Sequence, residues 1–376
     1  MRSWHIEICD VTLRDGEQTP GVSFTCEEKT RIAEVLDQIG VEVIEAGFPA
    51  TSPYEKRCVS AVASLGLDAR ICCLARARKA DVDAAIEAGV DMVSIFMPTS
   101  DLHIRHKFHA PREKVLGDSL EMVDYTHDHG LEVRFAAEDA SRTDLSFLLE
   151  VYRQGEEHGA DLLSFADTVG ALTPLQMFRT MKKIVKAVHR PVCAHCHNDM
   201  GMATANTLAA AEAGAFQLHT TVNGIGERAG NAALEEVLVG LYMKGGVRRY
   251  DLSHLASLSE MVAHYSGVKV DCLKPVVGDH AFRHESGIHI AAILEDPETY
   301  EYFPPELVGA TRKFTLGKHT GKKALEHEVA RLGYHLPEKQ LCQVLEMVKD
   351  RGEKKVDLTD ETLIDLIKQV MGGPPL

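Results

Sequence analysis

The sequence predicts a (β/α)8 TIM barrel followed by a small, mainly helical C-terminal extension, and three observations carry that prediction. Short apolar runs alternate with longer amphipathic segments eight times over, the order that surrounds a closed parallel sheet with helices. Several amphipathic segments end in glycine, which accepts the left-handed backbone at a helix C-terminus. Glycine also precedes the next apolar run at Gly89, Gly159 and Gly214. A doubly wound open sheet is the competing arrangement.

In chain order, the candidate strands are His5–Leu13, Val41–Phe48, Ala69–Ala75, Met92–Pro98, Leu131–Glu138, Leu162–Thr168, Pro191–Asn198 and Ala215–Asn223. They are short and apolar, as strands buried on both faces must be. Helical patterns lie between them at Cys26–Gly40, Asp81–Gly89, Glu113–Gly130, Asp144–Gly159 and Ala205–Gly214. After the eighth unit the pattern changes. Residues 247–275 read as helical, and a Gly/His-rich stretch, Val277–Ile290, leads to a Pro-containing segment and more helices. The expected division is a catalytic barrel at 1–275 and an extension at 276–376 that covers the barrel or a partner subunit.

Composition narrows the function. The chain has 376 residues and a formal charge of −15, which argues against general nucleic-acid binding because a phosphate backbone needs a basic surface, while leaving room for a local basic pocket for an anionic cofactor. No apolar run is long enough to cross a bilayer, and with the first strand starting almost at once no targeting segment is expected. Nine scattered cysteines fit reduced thiols in the cytoplasm. Cys193 and Cys196 form a Cys-x-x-Cys, but on a strand they face opposite sides, which argues against a redox pair.

Two distant segments read as halves of one metal site: Asp10-Val11-Thr12-Leu13-Arg14-Asp15-Gly16-Glu17-Gln18 and Ala194-His195-Cys196-His197-Asn198-Asp199. On a strand, His195 and His197 share a face, roughly 6–7 Å apart. Two imidazoles so placed reach one divalent ion. A carboxylate from another strand end completes three protein ligands and leaves positions open, as a catalytic metal requires. Active sites of such barrels lie at the C-terminal strand ends. Asp15, Glu45, Glu138, Asp167, Thr168, His195, His197 and Asn223 all fall there. Gly224-x-Gly226 with Gly230 has the wrong spacing and place for a dinucleotide fingerprint; a turn approaching cofactor phosphates is the expectation. Gly317–Lys322 is not a P-loop, and its lysines either meet an anionic cofactor or are solvated.

Five ordered motifs now stand together: Asp10–Gly21 (DVTLRDGEQTPG), His195–Gly201 (HCHNDMG), Thr221–Asn231 (TVNGIGERAGN), His284–His289 (HESGIH) and Leu316–Leu325 (LGKHTGKKAL). They resemble the homocitrate, 2-isopropylmalate and citramalate synthase family over nearly the whole chain. The resemblance implies a metal-dependent condensation of acetyl-CoA with a 2-oxo acid. It makes Asp15, His195 and His197 the metal ligands, for Zn, Mn, Mg or Co. Arg14 faces the oxygen that becomes an alkoxide. Gln18 and Asn231 support the site, Asn231 as a further ligand or one step outside the ligand set. Thr168 donates to the oxo acid carboxylate. Glu138 maps to the catalytic glutamate and His284 to a histidine with an acid–base role. A homodimer with shared active sites is implied, with His284 serving the neighbouring subunit.

The acceptor is read from strand five, whose inward set is Glu132, Arg134, Ala136 and Glu138. An inward arginine needs an anionic partner. That partner is either Glu45 or Glu132 within the barrel, or a carboxylate at the far end of the substrate. Arginine here resembles homocitrate synthases, which take 2-oxoglutarate. Leu74 stands where the lysine-pathway enzymes place a histidine, and Ser94 where isopropylmalate synthases usually have one. A leucine-binding domain like that of many isopropylmalate synthases is not expected in these 376 residues. Homocitrate synthase is the expectation, with isopropylmalate, citramalate and re-type citrate synthases as alternatives. Acyl-CoA lyases and carboxyltransferases of the same barrel, or a non-catalytic homologue, are more distant ones.

Overall fold

The computed structural model describes residues 4–356 and 358–372 and divides into two compact units, Met1–Val270 and Asp271–Leu376. In the first unit eight parallel strands close into a barrel: β1 (Glu7–Asp10), β2 (Val43–Glu45), β3 (Arg70–Arg76), β4 (Met92–Pro98), β5 (Glu132–Glu138), β6 (Leu162–Asp167), β7 (Val192–Cys196) and β8 (Gln217–Thr220). Pairing of β1 with both β2 and β8 closes the sheet. The fold is therefore the (β/α)8 barrel, and the open doubly wound sheet is excluded.

Several ladders are shorter than the apolar runs that contain them. In the first run the chain leaves the ladder after Asp10, and the backbone N–H groups of Arg14, Asp15 and Gly16 all converge on the carbonyl of Val11. That turn curls over the strand end and presents Arg14 and Asp15 to the lumen. The eighth run ends likewise in a 3-10 turn, Val222–Gly224, with Asn223 in the left-handed region. Hydrophobicity marks burial, not hydrogen bonding, so buried turns extend the apolar signal beyond the strand.

Helix α1 (Cys26–Ile39) opens on a Thr25/Glu28 capping box. Its Lys29 is fully buried, and the ammonium meets the carbonyls of Leu13 and Ala46 and the carboxylates of Glu17 and Glu55. One cation thus pins the turns after β1 and β2. Helices α2 (Pro53–Ala63), α3 (Lys79–Ala88), α4 (Arg112–Asp128), α5 (Leu145–Glu157), α6 (Pro174–Ala187) and α7 (Ala203–Ala213) follow β2 to β7 in turn. α2 and α6 were not singled out from sequence, although each has a hydroxyl cap followed by proline, at Ser52-Pro53 and Thr173-Pro174. Of the stretch 247–275, Leu255–Ser266 is helical.

Alternate residues of each strand fill the lumen. Cys9, Val11, Val43, Cys72, Met92, Leu162 and Cys193 form one apolar cluster there. Cys193 faces this cluster while Cys196 points outward to Thr207, so the Cys-x-x-Cys is split across the strand. The expectation that all cysteines are reduced is corrected at one pair. Cys26 and Cys58 form a disulfide between α1 and α2, because neighbouring helices bring their Cα atoms to 4.5 Å. The other seven are free. Among the described residues no helix is long and apolar enough to cross a membrane.

The second unit pairs two short parallel strands, Arg283–His284 and Lys313–Phe314. Three helices, Lys322–Arg331, Glu338–Glu353 and Asp360–Met371, bury a core that includes Leu325, Val329, Val344, Val348, Leu366 and Ile367.

Candidate metal centre and acceptor pocket

His195 is the next-to-last residue of β7, and His197 lies one residue beyond the strand, held by a bridge to Asn231. Their Nε2 atoms are 3.1 Å apart. Asp15 Oδ2 is 3.4 Å from His195 Nε2 and 3.9 Å from His197 Nε2. Among the described residues these three form the group of His, Cys, Asp and Glu side chains whose ligand atoms converge within 4.8 Å. Ligand atoms about 2.1 Å from a shared ion are separated by roughly 3–3.5 Å, so the donor set fits a divalent cation. Both histidines are buried. Burial and the charge of His195 bring the His197 pKa down to about 4, which leaves a neutral imidazole able to bind metal. Burial would raise the Asp15 carboxyl, but Arg14 and the two histidines outweigh it and hold it well below the usual carboxylate range.

The glycine-rich segment after β8 serves this cluster. Asn231 Nδ2 donates to Asp15 Oδ1 at 3.0 Å and to the carbonyl of Ile225, while Asn231 Oδ1 is buried without a partner. A Cβ on Gly226 would lie 2.1 Å from Asn231 Nδ2, and one on Gly230 would lie 1.9 Å from the carbonyl oxygen of Gly224. Close packing around Asn231 and Asp15 therefore accounts for these glycines, and the expected approach to cofactor phosphates is not needed to explain them.

Below the cluster lies a cavity of about 290 Å³, lined by Arg14, Asp15, Gln18, Leu74, Ser94, Phe96, Arg134, Ala136, Glu138, Thr168 and His219 among others. On each strand these residues follow a period of two, so the lining is the inward face of the barrel. Gln18 comes from the 3-10 turn Gly16–Gln18. Glu132, at the other end of β5, instead pairs with Arg70. Arg134 is fully buried, and all three of its nitrogens have acceptors. Nε donates to Ser94 Oγ at 3.2 Å. Nη1 donates to Gln217 Oε1 and to His219 Nε2, both at 3.1 Å, and also meets Cys9. Nη2 donates to Glu45 and Cys72. Of the partners left open by the sequence, Glu45 is the one observed. Glu45 also accepts from Arg14 Nε, and Arg14 Nη1 bonds Asp15 Oδ2 at 2.5 Å. Arg134, Glu45, Arg14 and Asp15 thus form a line of alternating charge from the cavity floor to the metal cluster.

Glu138 sits at the rim. Lys107, on the π-helical turn Ile104–Phe108, donates to both of its oxygens at 2.6 and 2.8 Å. His103 Nδ1 is 3.3 Å from the same carboxylate. Thr168 follows β6; its Oγ1 accepts from the backbone of Asp139 and keeps a proton to give. Sequence reasoning missed Lys29, Lys107 and His219, which carry no motif of their own. In the second unit His284 Nε2 is 3.2 Å from Glu301 Oε1, and Arg312 clamps Glu301 through both oxygens. The lysines at 322 and 323 pair with Glu338 and Glu295.

Residues 5–262 match the HMGL-like family, and residues 276–356 match the homocitrate synthase post-HMGL domain-like family. The chain is 54% identical to a homocitrate synthase, AksA, of Methanosarcina acetivorans, over 98% of this chain and 92% of that one. It is 45% identical to a 2-isopropylmalate synthase of Methanocaldococcus jannaschii, over 98% and 72%. An (R)-citramalate synthase of the same organism is 44% identical, over 98% and 75%. Among solved structures, the Bacillus subtilis HMG-CoA lyase shares the fold with a TM-score of 0.65 at 20% identity, covering 72% of this chain and 97% of that one. The chain belongs to the HMGL-like family and carries the post-HMGL domain of homocitrate synthases.

Proposed function

We propose, with this family membership as the premise, that the chain is a homocitrate synthase. It joins the methyl carbon of acetyl-CoA to the keto carbon of 2-oxoglutarate, and water then cleaves the thioester to give homocitrate and CoA. Two kinds of support bear on the acceptor. Relatives at 50–55% identity carry the homocitrate synthase name. The observation that carries the reading is the polar cavity floor: Arg134 buried beneath the metal cluster, in line with Glu45, Arg14 and Asp15. Those four charges cancel. A cation held by Asp15, His195 and His197 leaves two positive charges beside the cavity, which suits an acceptor with two carboxylates.

When bound, the divalent metal polarises the acceptor's keto oxygen as a Lewis acid. Arg14 directs its guanidinium to the same oxygen as negative charge develops there. Thr168 donates a hydrogen bond from its hydroxyl to the oxo acid carboxylate, and Gln18 lines the cavity. Asn231 orients Asp15 and offers its unpartnered Oδ1 to the metal. Glu138 takes the methyl proton of acetyl-CoA, for which Lys107 has to release its carboxylate. His284, oriented by Glu301 and Arg312, supplies the second acid–base group to the barrel of a neighbouring subunit in a homodimer. The proposed setting is the cytoplasm, with the Cys26–Cys58 pair as the departure from reduced thiols.

Thiol release from acetyl-CoA with a panel of 2-oxo acids tests the acceptor. 2-Oxoglutarate should be preferred over oxaloacetate, 2-oxoisovalerate and pyruvate; a preference for 2-oxoisovalerate overturns the assignment. For the shared site, refolding a mixture of Asp15→Ala and His284→Ala chains should restore some activity. No recovery, or a fully active monomer in sedimentation, counts against it.

A further inference from the structure

We infer that Lys107 is a catalytic residue that follows the negative charge of the condensation, resting on the base and then moving to the enolate oxygen of the thioester. This rests on the proposed condensation, with Glu138 as its base, and supplies the cation that the first step requires. When a methyl proton leaves acetyl-CoA, the C–H electron pair forms the enolate C=C bond and a carbonyl pair moves onto the thioester oxygen. That oxygen then carries the negative charge that Glu138 gave up. An oxyanion inside a cavity forms readily only where a cation or aligned donors meet it.

Three arginines line the cavity, and each is committed elsewhere. Arg14 holds Glu45 and Asp15. Arg134 is buried on the floor with Glu45 and Gln217. Arg228 is clamped to Asp199 and to the carbonyl of Thr168. Lys107 differs. Among the described residues its ammonium has Glu138 as its sole partner, at 2.6 and 2.8 Å. It is carried on the single π-helical turn Ile104–Phe108, and its side chain is 45% exposed. A flexible four-carbon stem with a rotatable ammonium therefore moves without breaking a second contact.

Covalent geometry sets the distance to be covered. The thioester oxygen lies about 2.4 Å from the methyl carbon, and the base has to come within about 3–3.5 Å of that carbon. Base and thioester oxygen thus fall within the sweep of one lysine side chain. Glu138 takes the proton, becomes neutral and no longer holds the ammonium. The enolate oxygen becomes the anion, and Lys107 donates to it, keeping all three of its protons. When the methyl carbon bonds to the keto carbon of the acceptor, the thioester carbonyl re-forms and the charge passes to the acceptor's oxygen. The contact favours the enolate over the resting state. Glu138 sits at the rim, 19% exposed, with His103 Nδ1 at 3.3 Å, so water and His103 serve it without Lys107. The enolate, deeper and more basic, loses more when the cation is gone.

Lys107→Met keeps the length and removes the charge. It should lower kcat roughly 10²-fold, the worth of one donor to an oxyanion, with KM for either substrate and metal content little changed. The deuterium isotope effect on kcat with methyl-deuterated acetyl-CoA should stay as large as in the native enzyme or grow, since enolate formation becomes the slow step. Lys107→Arg keeps a cation and should retain more activity than the Met variant. Propylamine should restore part of the activity of Lys107→Ala, with saturation. An unchanged or raised kcat in the Met variant overturns the proposal, since the ammonium then only masks the base. A loss confined to KM, an isotope effect that shrinks toward one, or an Ala variant that the amine does not rescue also overturns it. Should a variant fold poorly, as its urea midpoint reports, the Arg variant and its isotope effect decide. Every assay uses the 2-oxo acid that the native enzyme prefers. A native preference for a monocarboxylic acceptor therefore sinks the homocitrate reading and leaves the test of Lys107 standing.

Discussion

The barrel lumen carries charge at both ends, and the two ends treat it differently. At the N-terminal strand ends Arg70 binds Glu132 through Nη1 at 2.8 and 2.6 Å and Glu7 through Nη2 at 2.6 Å. Gln217 adds a bond to Glu7 at 3.3 Å. Those groups complete one another. At the C-terminal ends the side chains of His197, His219 and Asn231 each bury a polar atom with no partner. Each such atom costs about 1–3 kcal/mol. Charge alone therefore does not identify the functional end. Unfinished hydrogen bonding does, because a fold retains that cost where a ligand will complete the bonds.

The largest expected break in this contrast is loss of the metal. Chelation, or His197→Ala, should lower activity on the order of 10³-fold or more, as loss of a Lewis acid and its charge does. Elemental analysis should show the metal leaving with the activity. A metal-free sample with full turnover would falsify the assignment of Asp15, His195 and His197. Next is Lys29→Met. It strands Glu17 and Glu55 and two carbonyls beneath the site, and breaking a buried ion pair costs about 3–5 kcal/mol. Urea unfolding should show this as a lower midpoint; no change would mean that the cation is dispensable for the two turns.

Arg134→Ala sharpens the comparison from within the cavity. It removes the field of the floor and leaves Glu45 without its guanidinium partner there. kcat/KM for 2-oxoglutarate should fall roughly 10- to 150-fold, corresponding to about 1.5–3 kcal/mol. 2-Oxoisovalerate and pyruvate should be much less affected, and the loss should appear mainly in KM. Equal loss for every acceptor would make Arg134 a structural residue only. The smallest effect is expected at the opposite end. Arg70 is 34% exposed, so Arg70→Ala should cost only about 0–1 kcal/mol after solvent screening and leave turnover with saturating acceptors unchanged. A large drop in turnover would erase the distinction between the ends.

Much of the site was legible before any coordinates. The spacing of His195 and His197 places both on one face of a strand whatever the barrel around it, and the structure brings Asp15 to them. The period of two on strand five put Arg134, Ala136 and Glu138 inward, and all three line the cavity. Lys107 and Lys29 were not legible. Each acts through one charged tip on partners that are 31 residues (Glu138) and 26 residues (Glu55) away in sequence, and a lone lysine in a helical pattern reads as solvated surface.

The sequence by itself determined the barrel, the inward face of strand five and the residue types able to hold a metal, because these follow from local periodicity and from the chemistry of single side chains. Only the tertiary structure decided which partner each group found. Arg134 had three candidate anions on paper, and closure of β1 onto β8 with β5 across the lumen selected Glu45 while delivering His219 Nε2 to the same guanidinium. Hydrogen bonding is short-ranged and directional. Whether a buried donor is satisfied or left waiting therefore depends on positions that no local pattern encodes.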